Sequence, residues 1–281
     1  MASQYLILRN NGVKRRTFRF TMRVRSKIGT MSYENDTEVL LQQTWISRKG
    51  ENHIFEISIL EHKQTNEGGV HQWDKELNKI KNKLAFEVDA GNGSSVRVAN
   101  IAEIAEKWRT IRPVMLKNYE HTDYLKYMIK GTDDLLQDEE RLTKATAASN
   151  EHVMLLPGIY GIYTNEKVES IPARSIRNVL PGIHLPIKAV CRLKKYDETT
   201  GVCSILVEGT ADYENFEDTK FRQAVKEMTG TFNARTTMKV GYLEKYELDE
   251  YHWIKSAGRM YRYYLPGFIC NETICTLAKE N

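Results

Sequence analysis

Seven histidines, four cysteines and one cluster of acids ending in a lysine are the residues in this 281-residue chain best suited to chemistry. The histidines are His53, His62, His71, His121, His152, His184 and His252. No two stand three or four residues apart, the spacing that would set two imidazoles on one helix face around a zinc ion. Cys191, Cys203, Cys270 and Cys275 all fall in the last third. The last two lack the matching His or Cys pair that a zinc site needs. The first two sit among Ala189, Leu193, Ile205 and Val207, where small buried residues belong. No serine has a Gly-x-Ser-x-Gly setting. Glu208, Asp212, Glu214, Glu217, Asp218 and Lys220 offer acids and a lysine, but a metal nuclease would need them on neighbouring strand ends. Here they run through a loop into a helix start, as a solvated acidic loop does. Asp89-Ala90-Gly91-Asn92-Gly93-Ser94 lacks the Gly-Lys-Ser/Thr ending of a phosphate loop and reads as a hairpin turn. No cofactor, metal ligand or catalytic residue is implied, so an enzyme would have to assemble its site from distant residues.

Two patches could meet a partner. Lys14, Arg15 and Arg16 open a basic run that continues through Arg19, Arg23 and Arg25. On a strand face such a row could hold phosphates or an acidic protein. Glu34 and Asp36 answer Arg25 and Arg23 across a hairpin, which leaves the first part of the run as the partner-facing patch. Near the C-terminus, Arg259, Tyr261, Arg262, Tyr263 and Tyr264 join Tyr242, Tyr246, Tyr251, Trp253 and Phe268. Tyr and Arg favour interfaces, while cross-strand packing would explain the same rings. The run Tyr261-Arg262-Tyr263-Tyr264 cannot be buried on one side only.

The elements that must position these residues are mostly strands. Phe18, Phe20, Met22 and Val24 alternate with Arg19, Thr21, Arg23 and Arg25, the period-two mark of a half-buried strand. A hairpin centred near Gly29 and Thr30 sets Phe20 against Val39 and Phe18 against Leu41, with Arg25 opposite Glu34 and Arg23 opposite Asp36. Residues 54–61 make a third strand, with Trp45 facing Phe55 and Leu41 facing Ile59. A short helix carrying Trp73, Leu77 and Ile80 follows, then a hairpin turning at Gly91-Asn92-Gly93. Asn100-Ile101-Ala102-Glu103 reads as a capping box, Pro113 as a kink or stop, and Thr132 as the N-cap of a restarted helix. Residues 171–186, punctuated by prolines, read as irregular crossover. A hairpin spans residues 186–209, and a helix falls between 214 and 229. Phe232, Ala234, Thr236, Met238 and Val240 alternate again and open a final meander.

The fold class is therefore α+β: two antiparallel β-meanders, forming a curved half-barrel or sandwich, flank a central helical segment. We read one domain over residues 1–281, divided into a meander (1–99), helices (100–150), a crossover (151–185) and a second meander (186–281). Hydrophobic residues make up 41% and charged residues 28%, enough for a sizeable core. The net charge of +4 is low for a polyanion binder, which argues against nucleic acid. No apolar run reaches membrane-span length, and the opening residues do not resemble a secretory signal. Reduced thiols then point to a cytoplasmic setting. The expected function is non-enzymatic binding, as a subunit making protein–protein contacts or self-associating. The alternatives are a half-barrel that takes a hydrophobic small molecule or acyl chain, and an enzyme with a dispersed site.

Overall fold

Alternation of apolar and charged side chains makes residues Arg15–Ile28 a long strand, β2, because successive side chains point to opposite faces. It follows a short strand β1 (Gln4–Leu6) and pairs with β3 (Met31–Lys49), which pairs with β4 (Asn52–Gln64). The computed structural model describes residues 4–9, 12–66, 70–119, 121–165, 167–168, 171–230 and 237–280, without the side chains of 70–74 and 124. The register matches the sequence expectation: Phe20 faces Val39, Phe18 faces Leu41, Arg25 faces Glu34 and Arg23 faces Asp36. Trp45 also faces Phe55 and Leu41 faces Ile59. Apolar residues on one face and opposite charges on the other both require this pairing, and a one-residue slip would break both.

Helix α1 (Val70–Lys81) leads to the hairpin β5 (Lys83–Val88) and β6 (Ser95–Val98). Four helices follow: α2 (Ile101–Asn118), α3 (Asp123–Leu136), α4 (Glu139–Ala147) and α5 (Asn150–Leu155). The chain then returns to strands β7 (Gly161–Thr164), β8 (Lys167–Val168), β9 (Arg174–Leu180), β10 (Ile183–Tyr196) and β11 (Cys203–Ala211). Helix α6 (Asp218–Thr229) precedes β12 (Lys239–Leu248), β13 (Ile254–Leu265) and β14 (Ile269–Lys279).

All these strands join one antiparallel sheet, in the order β1-β7-β8-β10-β11-β12-β13-β14-β2-β3-β4-β5-β6 with β9 beside β10. The two meanders are fused, because the last strand β14 pairs with β2 over its whole length, from Ile269–Ile28 to Lys279–Phe18. The sheet is not closed. Its two ends nevertheless meet at one point, where Ser94 in the β5–β6 turn bridges Pro157 and the Tyr160 amide donates to the Asn92 carbonyl at 3.1 Å. That approach requires glycine. A Cβ on Gly93 would lie 2.2 Å from the Tyr160 ring, and one on Gly158 would lie 2.4 Å from Pro172. The helices cover one face of the sheet, where Phe20, Leu41, Phe86, Trp108, Met115 and Met154 share a continuous core. A second cluster packs Phe221 and Val225 of α6 against Ile183, Leu185, Tyr242 and Tyr263.

Several local expectations are corrected by tertiary partners. Asn100 makes no side-chain cap; its Oδ1 accepts from the Ala85 amide at 2.9 Å and so ties α2 to β5. Pro113 does not stop α2, because Trp108 and Met115, two turns apart, both bury on its inner face. Thr132 lies inside α3, its hydroxyl donating to the Met128 carbonyl; Asp138 is the N-cap instead, accepting from the Arg141 amide at 2.9 Å and opening α4. The 171–186 segment is not irregular, since β9 and the start of β10 occupy most of it. Phe232, Ala234 and Thr236 lie outside the described residues, and the strand they were expected to open is described from Lys239. Among the described residues no helix is long and apolar enough to cross a membrane.

Candidate functional site

Strand parity divides the Tyr/Arg row that the sequence singled out. On β13 the odd residues face the helices, so Arg259 and Tyr263 are buried and Tyr261 half-buried, while Arg262 and Tyr264 face outward beside Met260. The basic patch divides as well. Lys14 and Arg15 are exposed, but Arg16 is buried, its guanidinium 3.5 Å from the centre of the Trp253 ring. The outward surface expected of Arg16, Arg259 and Tyr263 is thus corrected, because their strand positions turn them inward. The two patches do not come together as one site.

Arg259 instead belongs to a buried ionic cluster. Glu244 on β12 is fully buried and accepts from Arg174 Nε at 3.1 Å and from the Tyr246 hydroxyl at 2.9 Å. The Tyr242 hydroxyl donates to Glu244 Oε1, the oxygen that Arg174 Nε also meets, while Tyr246 holds Oε2. Arg259 Nε stands 3.6 Å from Glu244 Oε1, and its Nη1 donates to Asn150 Oδ1 of α5 at 2.8 Å. Burial alone would raise the Glu244 carboxyl, but Arg174, Arg259 and the two tyrosine hydroxyls outweigh it and hold its pKa below the ordinary value. With every group enclosed, the cluster pins α5 and the crossover onto the sheet. Sequence could have flagged it: Tyr242, Glu244, Tyr246 and Leu248 alternate on one face, and an acid on an apolar face demands an inward cation nearby.

A cavity of about 280 Å³ lies where α1, β5 and helices α2 to α5 converge. Ile80, Leu84, Ile104, Leu136 and Leu142 form apolar walls. One end is polar, with Lys81 from α1, Ser149, Glu151 and His152 around the start of α5, and Arg177 from β9. His152 Nδ1 lies 3.0 Å from the Thr146 carbonyl and 2.6 Å from Ser149 Oγ. A carbonyl can only accept, so Nδ1 carries the proton and cannot draw one from Ser149, which removes the nucleophile–base reading of this pair. Burial lowers the His152 pKa against the pull of Glu151, leaving the ring neutral at pH 7. Burial opposes charge on Glu151 too, yet His152, Lys81 and its hydrogen bonds hold its pKa below the ordinary value, so it is ionised.

Other openings offer less. A wide trough of about 570 Å³ across β14, β2, β3 and β4 is lined by Thr21, Arg23, Asp36 and Lys63, but Arg23 already pairs with Asp36 at 3.0 Å and Lys63 with Glu61 at 2.8 Å. Burial pushes the Cys191 thiol up to about 11 and the Cys203 and Cys275 thiols up to about 12, so none supplies a thiolate at neutral pH. Among the described residues no three His, Cys, Asp or Glu side chains gather as metal ligands.

No family model matches this chain, and no curated protein matches it. Among solved structures, it is similar to one described as lipid–protein interactions in lipovitellin, with 10% identity and a TM-score of 0.47. The likeness covers 95% of this chain and spans a quarter of the length of that one (25%).

Proposed function

We propose that this chain is a non-enzymatic binding protein, a curved half-barrel that holds a small hydrophobic ligand between its helices and its sheet. The observation that carries the reading is the cavity of about 280 Å³ with apolar walls and one polar end. Ligand sites combine these features: an apolar wall supplies affinity and a few polar groups fix orientation. For scale, a dry engineered cavity of about 150 Å³ in another protein is enough to take benzene.

Native mass spectrometry of protein purified without detergent is the test. The expected result is an excess of about 150–300 Da, the scale of a ligand small enough for this cavity, lost on denaturation. Bare protein that takes up no medium-chain amphiphile on incubation would overturn the reading. A second reading, protein–protein contact, is supported by the outer strip of β13 and β14. Met260 and Ile274 stand directly opposite each other, 42% and 39% exposed, next to Arg262 and Tyr264. Defined multimers in the same spectrum, dispersed by Met260→Glu, would favour it.

A further inference from the structure

We infer that the cavity selects a singly charged anionic amphiphile, a medium-chain monocarboxylate, and that Arg177 and Lys81 read its head; this rests on the cavity reading above. Lys81 ends α1 and Arg177 lies on β9, so the two cations come to the polar end from different elements. Among the described residues neither has a carboxylate within 4.0 Å. Arg177 donates from Nη1 to the Ala145 carbonyl at 2.6 Å, a neutral acceptor that fixes the guanidinium without neutralising it. Burial presses on that charge and lowers the Arg177 pKa against the pull of Glu151. A half-buried cation whose nearby acid, Glu151, lies beyond ion-pair distance is only partly compensated, and an incoming anion would relieve that cost.

The charge count selects the anion. Lys81 and Arg177 are positive, Glu151 is ionised and His152 is neutral, so the polar end carries one net positive charge. A monocarboxylate balances it, whereas a phosphate dianion would leave an uncompensated negative charge beside Glu151. The planar guanidinium fork also matches a carboxylate in two parallel hydrogen bonds. The volume sets the chain length: about twice the space that takes benzene gives room for roughly a dozen heavy atoms, which is decanoate.

The experiment titrates the protein with decanoate, decanol and decyltrimethylammonium by isothermal titration calorimetry at low salt. Decanoate should bind at least tenfold tighter than decanol, and the cation should not bind. Arg177→Gln and Lys81→Gln should each weaken decanoate fivefold or more and leave decanol unchanged, and retained decanol binding shows that the variants fold. Leu142→Trp should abolish binding of both by filling the cavity. Decanol binding as tightly as decanoate, or both variants binding decanoate like the parent, overturns the head-group inference while the cavity reading stands. If neither chain binds, the cavity reading falls and the inference falls with it.

Discussion

Glu244→Gln is the sharpest single test of the packing between helices and sheet. The amide keeps the shape of the side chain but removes the charge that Arg174 and Arg259 surround. Two guanidiniums would then be buried with no counter-charge, and the new NH2 would point toward groups that also donate, Arg174 and the hydroxyls of Tyr242 and Tyr246. Removing one partner of a buried pair typically costs about 3–5 kcal/mol. At about 2.1 cal/mol/K of unfolding entropy per residue, a chain of this length would lose roughly 5–8 °C in Tm. Urea unfolding followed by circular dichroism, with calorimetry alongside, measures both quantities at pH 7. The acid limb supplies a second check. Because the folded-state pKa of Glu244 lies below its ordinary 4.5, its charge stabilises the fold above that value, and the contribution fades as pH falls toward the depressed one. Parent and variant stabilities should therefore begin to converge as pH falls through 4.5 and meet only below the depressed pKa. A loss under about 1 kcal/mol at pH 7, the size expected of an exposed pair, would refute the reasoning.

Two further substitutions test the sheet itself. Gly93→Ala forces a Cβ into the Tyr160 ring, which is held by its hydroxyl's 2.9 Å bond to the His252 carbonyl, at a backbone φ of +77°. It should cost at least about 2 kcal/mol in urea unfolding, clearly more than Gly230→Ala, where φ is +66° but nothing stands within 4 Å; equal losses would show that the Ser94–Pro157 junction is not tight. Arg25→Ala breaks a 2.9 Å pair with Glu34 whose partners are 57% and 59% exposed. Its cost should stay below about 0.5 kcal/mol and vanish in 1 M salt, and a larger, salt-insensitive loss would show a role beyond the ion pair.

The long hairpins were legible because two patterns had to agree. In β2 and β3 the apolar face demands Phe20 opposite Val39, and the charged face demands Arg23 opposite Asp36; one register satisfies both. The ends of helices were less legible, since Asn, Thr and Asp look like caps wherever they fall. Asp133 shows why. Inside α3 it accepts from Arg112 Nη2 at 2.8 Å and from Trp108 Nε1 at 2.7 Å, so an acid that resembles a helix start clamps α3 to α2. The short strands β7 to β9 escaped notice because prolines punctuate them and their ladders are too brief to show alternation. Arg259 and Tyr263 were legible as unusual but not as buried. Their parity follows only once β13 is set against β12, where Tyr261 lies opposite Tyr242 and Arg259 opposite Glu244.

The cavity was not legible at all, for a different reason. Its wall residues, spread from Leu77 to Arg177, each look locally like ordinary core, and a pattern of apolar positions does not tell a filled interface from an unfilled one. What keeps the space open is where the helices are held. The Val98 amide donates to Thr143 Oγ1 at 3.1 Å, Arg177 grips the Ala145 carbonyl at 2.6 Å, and Arg259 holds Asn150 Oδ1 at 2.8 Å. These are directional polar bonds to α4, to its last turn and to the start of α5, around the cavity rather than across it. Apolar side chains alone would draw the layers together, since an empty apolar space costs free energy in proportion to its volume. Polar anchors resist that collapse, because closing the gap would break hydrogen bonds to buried groups. A helix layer fixed in this way holds the apolar space open beside Lys81 and Arg177, the arrangement that the proposed anion site requires.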